Sequence, residues 1–322
     1  MKKVAILSAA VLCILSVAFI SGTLPAGSPF ATKDGTQEHL GELLFFDPIL
    51  SATRTISCAS CHIPAFGFAD TSAVSTGIHG RKGTRNAPSC TNLAERPYFF
   101  YDGRAATLPD QIHFPIENKD EMGLPYAEAV ARVSASKTYL ARFKKVYGAP
   151  PNGKNLAQAL AAYMTTLETS NTPFDRFMNG DSTAISVSAQ RGRELFMSPR
   201  AKCFDCHFSP DFTGDEFRNI GLFDGQRLND SGRFTISKDM NDIGKFKVPG
   251  LRNVAVTAPY MHNGMFRTLR QVLNYYNDPF KTVPHPINTD SLLLQPLNLT
   301  ETEITDLENF LITLSDDRFK KH

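Results

Sequence analysis

Two short stretches of this chain carry the same arrangement of reactive side chains: Cys58-Ala59-Ser60-Cys61-His62 and Cys203-Phe204-Asp205-Cys206-His207. Thiols three positions apart share one face of a helical turn. Both can therefore reach the two vinyl groups of one porphyrin, and the histidine that follows supplies an axial imidazole to its iron, which is the attachment chemistry of a c-type haem. Two such motifs predict two c-type haems. Zinc is the serious rival. A paired-cysteine zinc site, however, brings its two pairs within about 20 residues and has no need of a trailing histidine, whereas these pairs lie far apart. A thioredoxin-like redox pair is a further rival. Of the six cysteines, Cys13 falls in an N-terminal apolar segment and Cys90 stands alone. Cys90 reads as a small buried hydrophobe in a loop.

The elements that must hold these motifs show a duplication. Gly41-Glu42-Leu43-Leu44-Phe45 precedes the first motif and Gly192-Arg193-Glu194-Leu195-Phe196 the second; Arg85-Asn86 follows the first and Arg252-Asn253 the second. A repeat of so long a period marks two domains and not a solenoid. A length of 322 residues agrees with two domains. Helical periodicity is predicted for Glu38 to Phe46, Tyr126 to Tyr147, Leu156 to Thr169, Ser188 to Met197, Leu269 to Tyr276 and Glu303 to Leu314. Thr300 and Glu303 form a capping box ahead of the last of these. Between them run long segments rich in Gly, Pro, Asn and Asp, 63–120 and 208–262, without alternating strands. Wrapping a large cofactor is one reason for loops of that length. The expected fold is mainly α-helical, with two cytochrome c-like domains, each holding one covalently bound haem. Their boundary is expected where Asn179-Gly180-Asp181-Ser182 interrupts two helical patterns, giving 27–183 and 184–322.

Residues 1–26 read as a secretory signal: Lys2-Lys3, an apolar run from Val4 to Ile20, then small residues to Ala26. A short uncleaved anchor is the competing reading of the same run. Export implies a periplasmic destination. Lys and Arg number 34 against 32 Asp and Glu, so removing Lys2 and Lys3 leaves 32 against 32. No basic stripe interleaved with aromatics is present, and nucleic acid is not expected as a partner.

This pattern resembles the bacterial dihaem cytochrome c peroxidase and MauG family. The resemblance covers nearly the whole mature chain, from Gly41-Glu42-Leu43-Leu44-Phe45-Phe46-Asp47-Pro48 to the helix around Tyr276. It rests further on Arg85-Asn86-Ala87-Pro88, Asp102-Gly103-Arg104-Ala105 and Thr257-Ala258-Pro259-Tyr260-Met261-His262-Asn263-Gly264. It implies a peroxide site at the N-terminal haem, an electron relay or store at the C-terminal haem, and His62 and His207 as proximal ligands. The family's distal acid/base glutamate falls on Glu121, counted from Tyr101; without the resemblance Glu121 would read as a solvated loop carboxylate. A calcium ion between the domains is implied, held by the Asn86 side chain and the backbone oxygens of Thr257 and Pro259, an oxygen-only set of the kind calcium accepts. Hydrogen peroxide is the implied substrate and a small cytochrome c or copper protein the implied electron donor. A homodimer is left open.

Three positions depart from the classical peroxidase pattern. Where a methionine ligates the C-terminal haem, this chain has Tyr276, as MauG does. A phenolate there favours higher oxidation states than a thioether would. Tyr275, Met261 and Met265 are alternatives close by. His79 is the candidate for the distal histidine of the N-terminal haem, although it lies one residue nearer the Arg-Asn pair than the family spacing. Tyr101 stands where the family places a tryptophan between the haems, and a phenol must lose its proton when oxidised, so an electron relay there is proton-coupled. His39, His113, His285 and His322 lie in polar contexts and read as solvated or structural. Three functions follow from these residues: peroxide reduction to water with Glu121 moving the proton, MauG-like oxidation of protein side chains, and electron transfer without catalysis.

Overall fold

The computed structural model describes residues 30–319, so the signal-like segment, Cys13 and His322 lie outside the described residues. The first half is built on α1 (Gln37–Phe46), α2 (Leu108–Glu117), α3 (Tyr126–Ala135), α4 (Lys137–Tyr147) and α5 (Gly153–Thr165). After α6 (Pro173–Met178), the second half is built on α7 (Val187–Met197), α8 (Phe234–Ser237), α9 (Leu269–Asn277), α10 (Pro279–Thr282) and α11 (Glu301–Ile312). Among the described residues the only sheet is a two-residue antiparallel pair, β1 (Phe217–Arg218) with β2 (Phe246–Lys247). The architecture is mainly helical. No helix among the described residues is long and apolar enough to cross a membrane.

Local chemistry explains the helix ends. Thr36, Ser186, Thr268 and Thr300 each accept a backbone N–H from the first turn of α1, α7, α9 and α11, with the expected Thr300/Glu303 capping box formed. Two expectations are corrected. The single helix over Tyr126–Tyr147 is broken at Ser136, whose backbone is extended and whose hydroxyl accepts from Tyr139 N–H to start α4. The apolar spacing runs across the break, since Ala129, Val133, Tyr139 and Phe143 are all buried. The segment expected to be irregular over 63–120 contains α2, in which one proline occupies the first turn and Pro115 falls in the last. Prolines at those places remove few helical hydrogen bonds.

The duplicated phrase places a close helix crossing in each half. A Cβ on Gly41 would lie 1.9 Å from the Ala159 carbonyl oxygen of α5, and one on Gly192 would lie 1.9 Å from the Asp306 carbonyl oxygen of α11. Behind each crossing sits an edge-to-face aromatic pair, Phe45 on Tyr163 and Phe196 on Phe310, both at 5.2 Å between centroids. Gly41→Ala and Gly192→Ala are each expected to destabilise by about 3 kcal/mol, the upper end of ordinary overpacking costs; the denaturant midpoint of the purified protein measures this.

One apolar cluster gathers residues between Phe30 and Leu167 together with Phe319, and a second gathers residues from Phe174 to Leu314. The change of cluster thus falls between Leu167 and Phe174, ahead of the Asn179-Gly180 interruption. Short α6 packs with the second half, where Phe174 N–H donates to the Thr313 carbonyl and Asp175 pairs with Arg252.

Candidate functional site

Each Cys-x-x-Cys-His motif forms a tight turn against its own apolar cluster, Cys58 against the first and Cys203 against the second. In each, the histidine N–H donates to the carbonyl of the first cysteine at 2.9 Å. The imidazoles are oriented alike. His62 Nδ1 lies 3.1 Å from the Phe68 carbonyl oxygen and His207 Nδ1 lies 2.9 Å from that of Phe212. Such a bond fixes the tautomer with Nε2 as the lone-pair nitrogen. A second backbone carbonyl also bears on each imidazole, that of Pro88 on His62 and that of Pro249 on His207. Burial pushes both imidazoles down, keeping them neutral, while the accepting carbonyls oppose the shift. Burial pushes the Cys58 and Cys203 thiols up to about 12. The four motif cysteines are free. These side chains fit a covalently attached haem at each motif.

The two acceptor carbonyls are held by matching devices. Phe68 and Phe212 adopt left-handed backbone conformations, φ 56° and 57°. Each ring is anchored in the duplicated aromatic set, Phe68 edge-on to Phe45 and Phe212 edge-on to Phe196. No sequence pattern pointed to either residue; the spacing from each histidine to its acceptor even differs by one.

Glu121 stands beside the first motif. It is half-buried, and Asn118 Nδ2–H donates to its Oε1 at 2.7 Å. Burial raises its carboxyl above the ordinary range, Asn118 and Arg104 opposing the rise. The Cys61 thiol, raised mainly by its own burial, is raised further by the carboxylates of Asp70 and Glu121, which places Glu121 within electrostatic reach of the motif. His79 belongs to a turn packed on the same segment: Ile78 N–H donates to the Glu121 carbonyl, and a Cβ on Gly77 would lie 2.5 Å from that oxygen. The His79 side chain is exposed and its φ is 56°.

Tyr276 is beside the second motif. Burial pushes its phenol up, and the Cys206 and Cys203 thiols add to the shift. Tyr275, by contrast, points away and donates its hydroxyl proton to the Ile220 carbonyl at 2.5 Å. Tyr101 lies between the halves, where its carbonyl accepts Lys247 N–H at 2.7 Å. Burial pushes its phenol up, with Arg85 acting the other way.

Sequence reasoning left the charges around Tyr101 unassigned. Arg85 reaches Asp102 of the first half at 2.6 Å and grips Asp230 of the second at 2.6 and 2.8 Å, and Arg233 donates back to the Asp102 and Gly103 carbonyls. His262 stacks on Phe246 at 3.8 Å, and burial pushes its imidazole down to about 4. Asn86, buried, donates Nδ2–H to the Ser72 and Ala73 carbonyls, while its own N–H donates to the His262 carbonyl. These bonds leave Asn86 Oδ1 unused, and they tie Asn86 to the segment that carries Thr257 and cis-Pro259. Of the remaining histidines, His39 pairs with Asp34 and Glu42, and His113 stacks on Phe114. Cys90 is 4% exposed, as a small buried hydrophobe should be.

Comparison with known proteins is consistent with this geometry. Residues 35–183 match the family model described as di-haem cytochrome c peroxidase. The methylamine utilization protein MauG of Methylorubrum extorquens is 36% identical over 85% of this chain and 77% of its own. The cytochrome c551 peroxidase of Pseudomonas aeruginosa is 35% identical over 77% of this chain and 72% of its own. A solved MauG-like protein associated with microbial copper homeostasis superposes with a TM-score of 0.81 at 30% identity, covering 93% of this chain and 95% of its own.

Proposed function

Because the chain belongs to the di-haem cytochrome c peroxidase family, we propose that it reduces hydrogen peroxide to water with electrons from a small periplasmic cytochrome c or copper protein. One haem at each motif would make two cytochrome c-like domains, 27–183 peroxidatic and 184–322 electron-transferring by the sequence interruption, with α6 of the first packed against the second. The observation that carries the reading is the pairing at the first motif. Half-buried His62 is held through Nδ1 by the Phe68 carbonyl, and a half-buried carboxyl, Glu121, lies within electrostatic reach of Cys61 in the same motif.

Haem iron, when bound, supplies the electron chemistry of peroxide reduction. The protein's own part is proton movement and orientation. Glu121 takes a proton from one peroxide oxygen and returns it to the other, so that water leaves. Asn118 holds the carboxyl in place through Oε1. Burial keeps the proton affinity of Glu121 above that of a surface glutamate, which makes its carboxylate the better base for taking the first proton. Tyr101 would pass electrons between the halves, Tyr276 would ligate the second haem, and His79 would be a further ligand of the first. Asn86, Thr257 and Pro259 would hold a calcium ion, and the free Asn86 Oδ1 suits that role. Periplasmic residence is part of the proposal, supported by the signal-like composition of 1–26.

The test is rapid mixing of oxidised holoprotein with stoichiometric peroxide, followed by steady turnover with a reduced small cytochrome c. Catalytic oxidation of the cytochrome is expected. A dihaem protein that leaves peroxide unconsumed with both haems reduced would instead be a pure electron carrier. Tyr276 favours a second reading, MauG-like oxidation of a protein side chain. A prompt high-valent signal without prior reduction, with slow cytochrome oxidation, would support it.

Turnover should also depend on pH through Glu121. The carboxylate is the form that accepts the first proton, so the rate falls as pH drops through its pKa. Burial raises that pKa, so the fall begins at a higher pH than an ordinary glutamate would give; a kcat/KM profile with and without Glu121→Gln checks this.

A further inference from the structure

The two halves repeat each other closely around their proximal histidines, and they differ in one respect. In the first half the residues flanking the acceptor carbonyl are Gly67 and Ala69, and the Phe68 oxygen is shared, since Cys90 N–H also donates to it at 3.2 Å. In the second half they are Asp211 and Thr213, whose hydroxyl donates to the Val248 carbonyl at 2.7 Å, with Asp215 three residues beyond Phe212, and among the described residues the Phe212 oxygen accepts from His207 alone. Both aspartates are gripped from the other half of the molecule. Arg96 donates from Nη2 to Asp211 at 2.5 Å and from Nη1 to Asp215 at 2.7 Å, all three side chains being under a fifth exposed. Asn92 and Arg252 add donors to Asp211 at 3.4 and 3.0 Å. The same strand of chain runs on through Tyr98, which packs on Phe217, to Tyr101, whose carbonyl accepts Lys247 N–H.

We propose that Arg96 is a positioning residue for His207: by fixing Asp211 and Asp215 from the first half, it holds the left-handed Phe212 carbonyl that accepts the His207 Nδ1–H. A non-glycine residue in that conformation persists only where its surroundings over-determine it. Aromatic packing fixes the Phe212 ring, and the forked guanidinium fixes the carboxylates of Asp211 before it and Asp215 beyond it. A firm Nδ1–H···O=C bond makes the imidazole a stronger donor to iron and favours the oxidised state. The electron-transfer site thereby depends on how the first half, including the Tyr101 segment, is seated against it. This inference rests on the reading above, in which His207 ligates the second haem.

The test compares both haem potentials in Arg96→Lys and Asp211→Glu, which preserve charge and spoil the fork geometry. The expected result is a shift of the second haem toward the reduced form, at least threefold in the reduced-to-oxidised ratio at fixed potential, with the first haem unchanged as the internal control for folding. Asp211→Glu serves as the second variant should Arg96→Lys not accumulate. An unchanged second haem, or equal shifts of both haems, overturns the proposal. So does an Arg96→Gln variant shifted toward oxidation while Arg96→Lys matches the parent, because that pattern is charge alone. A parent protein with one haem per chain, or without histidine ligation at the second haem, would sink the underlying reading before any variant is made.

Discussion

Glu121→Gln lowers peroxide turnover by about 10²–10⁴-fold, the usual contribution of a positioned acid/base group, while covalent haem content and the optical spectrum of the oxidised protein stay unchanged. The argument is geometric first. Glu121 is held by Asn118 Nδ2–H through one carboxyl oxygen, which leaves Oε2 available. It stands near enough to Cys61 to influence that thiol. Glutamine preserves size and can keep the bond to Asn118, but it cannot take and return a proton. Single-turnover mixing with peroxide separates this loss from any change in electron supply, because no donor is needed for the first step. Turnover within threefold of the parent would mean that Glu121 is an ordinary loop carboxylate and that the proton moves elsewhere.

Tyr276→Met raises the potential of the second haem by about 0.1 V or more, since axial ligands set haem potentials over roughly 0.8 V. A neutral thioether favours the reduced iron where an anionic phenolate favours the oxidised iron. The residue is placed for this: it lies by Cys203 and Cys206, whose thiols affect its phenol, whereas the adjacent Tyr275 is already committed to the Ile220 carbonyl. Spectroelectrochemical titration of the parent and variant reads the shift directly. With it, turnover with a reduced cytochrome should persist or rise, and any oxidation of a protein side chain should be lost, because two oxidising equivalents can no longer be held across both sites. An unchanged potential would remove Tyr276 from the ligand set. The Tyr275→Phe variant is the control: it loses only the hydrogen bond to Ile220 and leaves the potential unaltered.

Much of the site can be read along the chain because its chemistry is local. Two thiols and an imidazole within five residues are enough to make a haem-attachment motif legible at Cys58–His62 and at Cys203–His207. The phrases Gly41-Glu42-Leu43-Leu44-Phe45 and Gly192-Arg193-Glu194-Leu195-Phe196 likewise announce two equivalent helices, and the structure gives each glycine its reason in a backbone carbonyl at contact. The Thr300/Glu303 capping box was equally visible, since both partners lie within one turn. Local pattern misled where two signals competed. The apolar spacing through Tyr126–Tyr147 concealed the break at Ser136, and the prolines of Leu108–Glu117 concealed a helix that tolerates them at its ends.

The sequence by itself determined that two haem-attachment motifs exist, that they belong to duplicated helical units, and which carboxyl and phenol are candidates beside them. Only the tertiary structure decided which carbonyls orient His62 and His207, that Arg85 ties Asp102 to Asp230, and that Arg96 of the first half grips Asp211 and Asp215 of the second. Helix caps and haem motifs act within a turn, so residue type and spacing suffice to reveal them. A carbonyl aimed by a left-handed residue, or an ion pair closing across more than a hundred residues, depends on how whole segments pack, and no single stretch of sequence records it.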